Sequence, residues 1–133
     1  MAHDTSRVGD ILRAANKIFL YIAGISRAEF MRSDRTRDLV VLQLVVLGEA
    51  VAKLSPEFKL HHDSIEWREF VSIRNIVAHQ YMSVDYDLVW DLVKGRVPEL
   101  ARYLRKIGPG KKPPRQPGKK VAALTGVKQT RRR

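Results

Sequence analysis

Three side chains able to do chemistry fall within six positions, Arg74, Asn75 and His79, and Tyr81 follows two residues later. A neutral imidazole can take a proton from a ribose 2′-hydroxyl, and an imidazolium can give one to a leaving 5′-oxygen. An unperturbed pKa of about 6.5 suits the ring to both steps. A guanidinium stays charged and can grip two phosphate oxygens as charge builds on phosphorus. An Asn amide can orient the imidazole or the substrate. This set suits cleavage of an RNA phosphodiester without a metal ion. One histidine per chain does not easily perform both proton transfers, but two copies of the segment meeting in the cleft of a dimer can divide them. On a helix turning about 100° per residue, Asn75 and His79 share a face one turn apart, and Arg74 stands roughly 140° from His79. A long Arg side chain, or a helix ending near His79, would bring the two together.

The elements that must position these residues read as helix after helix. Apolar residues recur at three- and four-residue spacing, and no stretch alternates like a strand. Val8, Ile11, Leu12, Ala15, Ile18, Phe19 and Ile22 form one stripe of a first helix expected over about Thr5–Ile25, with Asp4, Thr5 or Ser6 to cap it. A second helix is expected over about Arg35–Leu54, started by Ser33 or Asp34 and ended at Ser55-Pro56. Its middle, Leu39 to Leu47, is apolar almost all round, which requires cover on more than one side. A second subunit is the simplest cover, so a homodimer is expected. A polar loop, Glu57 to Asp63, then leads to a third helix from Ser64 to about His79, carrying Trp67, Phe70, Val71 and Ile73. Asp85 should cap a fourth helix with Leu88, Val89, Leu92 and Val93 on its apolar side, and Gly95 should break it. Pro98 suits the first turn of a short fifth helix ending near Ile107.

Length and composition set the bounds. The 133 residues fit one domain with a real core. There is no cysteine, which removes disulfides, zinc thiolates and a Cys nucleophile and suits a reducing, cytoplasmic setting. The N-terminal residues are polar, with no leader-like apolar run, and no segment offers the roughly 20 apolar residues of a membrane span. Net charge is +11. Nine of the 25 basic residues, and no acid, lie in 108–133, which leaves residues 1–107 with 16 basic and 14 acidic side chains. The expected organisation is therefore a nearly neutral helical domain, 1–107, followed by a basic Pro- and Gly-rich tail, 108–133. That tail cannot bury enough surface to order itself, but it raises affinity for any polyanion.

The segment Arg74-Asn-Ile-Val-Ala-His79-Gln-Tyr81 resembles the Arg, four residues, His, one residue, Tyr signature of the HEPN ribonucleases. Asp38-Leu-Val-Val-Leu-Gln-Leu-Val-Val-Leu-Gly-Glu49-Ala is similar to that family's second helix. Ile65-Glu-Trp-Arg-Glu is similar to the lead-in to its motif helix, and Asp85-Tyr-Asp-Leu-Val-Trp90 and Val97-Pro-Glu-Leu100 are similar to its later elements. The likeness spans roughly residues 8–106 and is nearest to the HepT branch, the toxins of HepT/MntA toxin–antitoxin pairs. It implies an all-α up-and-down bundle of four to five helices, a homodimer, and metal-independent RNA cleavage at Arg74, Asn75 and His79, with no cofactor. It also implies a minimal nucleotidyltransferase antitoxin of the MntA kind, able to adenylylate Tyr81. Bulk and negative charge there would repel RNA phosphate from the Arg–His pair. Glu66 stands where the family often has Pro and Gln80 where Gly is common, and the tail from Gly108 has no counterpart in short members.

Other readings compete residue by residue. Arg74 could pair with Glu69 on the surface, Asn75 could finish a helix end, and Tyr81 could be an interface aromatic. Glu49 and Asp38 could tether Arg74 or position helices, or could be solvated or capping residues. Trp67 and Trp90 read as packing. His3, His61 and His62 lack ligand spacing, and His61-His62 reads as solvated loop. As a whole, the domain could instead be a non-catalytic module that binds a nucleotide or docks a nucleotidyltransferase.

Overall fold

A computed structural model of the chain describes residues 2–79 and 84–107, the side chains of Ala2 and of residues 74–79 excepted. All regular structure among the described residues is helical, as the periodicity predicts. The expected tail, 108–133, lies outside the described residues.

Helix α1 spans Ala2–Ile22 and buries Val8, Ile11, Ala15, Ile18 and Ile22. It starts a turn before the expected caps, and Asp4 has a different task. Asp4 is 4% exposed, and its carboxylate accepts from the Ser55 N–H at 2.8 Å and from the Ser55 hydroxyl at 2.7 Å. The helix also ends sooner than expected, at Ile22, because Gly24 adopts a left-handed φ of 73° that turns the chain away. A short helix not anticipated from the apolar pattern follows, α2, Arg27–Arg32. Ser26 and Glu29 form its capping box: the Ser26 hydroxyl oxygen accepts from the Glu29 N–H, and the Ser26 N–H donates to the Glu29 carboxylate. The helix delivers Phe30, fully buried, against Trp90 at 5.0 Å between ring centroids.

Helix α3, Asp34–Ala52, is capped by Ser33, whose hydroxyl accepts from the Thr36 N–H. It is the central element, packed against α1 and against α5 (Trp67–His79). Val40, Leu44, Leu47 and Val51 are fully buried, whereas Leu42 and Val46 are 55% and 42% exposed. The second apolar side read from the sequence therefore exists and is exposed among the described residues. The segment expected as a polar loop is in fact helical: α4 spans Pro56–His61, with Ser55 as cap and Pro56 in its first turn. Phe58 is what draws it down, since the residue is 9% exposed and belongs to the core.

Asp85 caps α6, Tyr86–Asp91, accepting from the Leu88 N–H as expected. Gly95 does not break the helix. Leu92–Arg96 forms a π-helical turn that runs directly into α7, Val97–Ile107. The buried positions explain why. Val89, Val93, Val97 and Ala101 recur every four residues. On an α-helix that spacing drifts by about 40° per step, and one wider turn returns the stripe to the core.

Candidate active site

The helix that carries the motif is fixed at its first residue. Trp67 is 8% exposed, its indole N–H donates to the carbonyl of His62 at 3.1 Å, and its ring meets the edge of Phe58 at 6.0 Å. α5 therefore begins at Trp67 rather than at Ser64. His62, expected in solvent, is fully buried. Its ring lies tilted against Phe58 with centroids 4.5 Å apart, its Nδ1 shares a hydrogen bond with the Tyr103 hydroxyl of α7, and its Nε2 has no hydrogen-bond partner among the described residues. Burial, with a smaller contribution from the neighbouring His61, lowers its pKa to about 4. A neutral His62 thus joins α4, the start of α5 and α7. His61 stays exposed, and His3 donates from Nε2 to the carbonyl of Lys53 at 2.7 Å.

Trp67, Phe70 and Ile73 mark the buried side of α5, and Arg68 and Ser72 lie on the exposed side. Counting on from Arg68 by four, seven and eleven residues gives Ser72, Asn75 and His79, positions that share one face of a 3.6-residue helix. The backbone of Arg74, Asn75 and His79 lies in the last turns of α5, which runs as regular helix through His79. The angular offset of Arg74 from that face, read from the sequence, therefore holds for the backbone. Tyr81 lies outside the described residues.

Glu69, offered as a surface partner for Arg74, has an ion pair with Arg96 at 3.3 Å, and Arg96 also reaches Glu99 at 3.3 Å. Arg96 thereby ties α5 to the π turn and α7. Glu49 is half-buried and lines a groove between α1 and α3 with Arg7, Asp10, Arg13, Lys17 and Lys53. Asp38 is exposed on α3. Trp67 and Trp90 are both 8% exposed and belong to the core, as read from the sequence. Arg68 escaped the sequence reading, although its spacing of four to Ser72 and seven to Asn75 is visible there. Among the described residues no helix is long and apolar enough to cross a membrane.

The ribonuclease HepT-like family model matches residues 11–107. Among curated proteins, the chain is 33% identical over 93 residues to "Putative RNase MJ1380" of Methanocaldococcus jannaschii, which covers 70% of this chain and 85% of that protein. It is 29% identical over 97 residues to "Putative RNase TTE0752" of Caldanaerobacter subterraneus, covering 73% of this chain and 87% of that protein. It is 31% identical over 98 residues to "Probable ribonuclease HepT" of Thermococcus cleftensis, covering 74% and 89%. No solved structure matches the chain.

Proposed function

The chain belongs to the HepT-like ribonuclease family, and on that footing we propose that it is a metal-independent endoribonuclease whose chemistry is carried by Arg74, Asn75 and His79. The observation that carries the reading is that the match runs through the motif helix, where positions 75 and 79 fall in helical register with Arg68 and Ser72 on a helix anchored by a buried Trp67. His79 serves as the proton carrier, taking the 2′-hydroxyl proton or supplying one to the 5′-oxygen. Arg74 neutralises the charge that gathers on the phosphoryl oxygens, and Asn75 orients the imidazole or the substrate. Two protomers supply the two histidines. The exposed Leu42 and Val46 of α3 are the apolar surface that pairing would cover. Asp38 and Glu49 flank that surface on α3 as supporting residues.

In the cell the enzyme acts as a toxin of the cytoplasm, held in check by an MntA-like nucleotidyltransferase. The Tyr81 hydroxyl displaces diphosphate from ATP and keeps the AMP, whose charge and bulk then keep RNA out. Residues 1–107 are the catalytic domain, and the basic tail from 108 adds a salt-dependent attraction to RNA.

The deciding experiment is cleavage of labelled RNA by the purified protein in EDTA, beside His79→Ala. Loss of a positioned proton carrier lowers the rate by at least about 100-fold. A folded parent that cleaves none of several RNAs would overturn the enzymatic reading and leave a module that binds RNA, a nucleotide or a nucleotidyltransferase. Growth arrest on expression alone, relieved by a nucleotidyltransferase together with the mass of AMP on Tyr81, tests the pairing.

A further inference from the structure

The first two turns of α5, ahead of the motif, carry exposed polar residues of their own. An open groove of about 650 Å³ runs along its first two turns, lined by Glu66, Arg68, Glu69, Val71, Ser72 and Arg96. Its charges are not equivalent. Arg96 is engaged at both ends by Glu69 and Glu99, and Glu69 is in turn engaged by Arg96. Arg68 is exposed and has no ion-pair partner among the described residues. It stands in register with Ser72, Asn75 and His79, about 10 Å along the helix axis from position 75 and about 16 Å from position 79. Such a cation can meet a phosphate that flanks the reacting one, but not the reacting phosphate itself.

The geometry points to the Arg68 end of α5 as a subsite for the phosphodiester backbone of single-stranded RNA, with Arg68 holding a phosphate flanking the bond that is cut. The inference rests on the proposed RNA cleavage and adds the path the substrate takes away from the reacting bond. Arg68 is a positioning residue. It acts on how the strand lies over the motif and touches none of the reacting atoms. An Arg whose ionic partner is supplied by the ligand suits this, since its fork matches two phosphate oxygens.

The test uses the full chain and a fluorescent RNA hexanucleotide with 2′-O-methyl groups, which binds without being cut. Affinity is measured against salt concentration for the parent, Arg68→Ala and Arg68→Lys. Loss of one phosphate contact flattens the slope of log K against log salt by about 0.7. It also weakens binding about two- to fivefold at moderate salt. Arg68→Lys restores the slope. The tail contributes equally to all three proteins and cancels. On cleavable RNA, the Arg68→Ala penalty falls on KM, and it is smaller for a dinucleotide than for a hexanucleotide, because the short strand does not reach position 68. A parent that cleaves RNA while Arg68→Ala keeps the parental slope overturns the subsite and leaves the proposed function standing. A parent that cuts nothing but loses slope on Arg68→Ala overturns the enzymatic reading and with it the flanking-phosphate subsite, and leaves Arg68 as an RNA-backbone contact of a binding module. A parent that does not bind the hexanucleotide overturns the subsite.

Discussion

A neutral imidazole enclosed by Phe58 and Tyr103 makes the fold answer to acid. The unfolded chain binds a proton at position 62 below about pH 6.5, whereas folded His62 resists until about pH 4. Between those values the unfolded state holds more protons, so stability rises with pH across the window and is lost as pH falls through it. Between pH 7 and 4.5 this one group should remove about 2 kcal/mol. Urea unfolding of the parent and of His62→Gln at both pH values checks the expectation: the variant is weaker at pH 7 but loses less on acidification. Equal losses would mean that His62 does not titrate with folding. Residue type alone does not show this; burial beside Phe58 does, and a loop reading of 57–63 could not supply it.

Helix α6, the π turn and α7 form one continuous run in which Gly95 has an ordinary φ and open space where a Cβ would stand. Its glycine is therefore not demanded by the backbone. Gly95→Ala should stabilise the protein by about 0.5–1 kcal/mol, chiefly by restricting the unfolded chain, visible as a rise of a few degrees in Tm. A fall in Tm would mean that the π turn depends on glycine. The same run shows what was legible in the sequence. Asp85 and Ser33 signalled helix starts correctly because a cap depends on its own residue and the next three, whereas Pro98 falls in the first turn of α7 without starting a separate helix. Gly95 misled because glycine propensity is a weak local preference, and the four-residue spacing of Val89, Val93 and Val97 overrides it by packing. α4 was missed because one buried aromatic, Phe58, outweighs the polar residues around it in 57–63. α2 was missed although Ser26-x-x-Glu29 spelled out its capping box. The motif helix was read correctly through His79, and its N-terminal end was set by Trp67 bonding to a carbonyl that no local pattern reveals.

At the scale of the molecule, Leu42 and Val46 leave an apolar surface on the central helix that is exposed among the described residues. Light scattering on the parent should give a dimer, and Leu42→Asp with Val46→Asp should give a folded monomer with little cleavage. Full cleavage by that monomer would sink the shared-cleft reading while sparing the catalytic residues. The sequence could show that α3 was apolar on two sides, but not which side the first layer of packing would take. Further from the site, the order of the elements has a consequence in time. α3 meets α1 and α5, its near neighbours along the chain, but α7 returns to pack on α1 across most of the sequence. Arg105 there donates to Asn16 at 2.6 Å, spanning 89 positions. Contacts between near neighbours close cheaply and early, whereas this seam pays the entropy of the longest loop. It therefore closes late, and weakening it shortens the lifetime of the folded protein while leaving its rate of folding nearly unchanged.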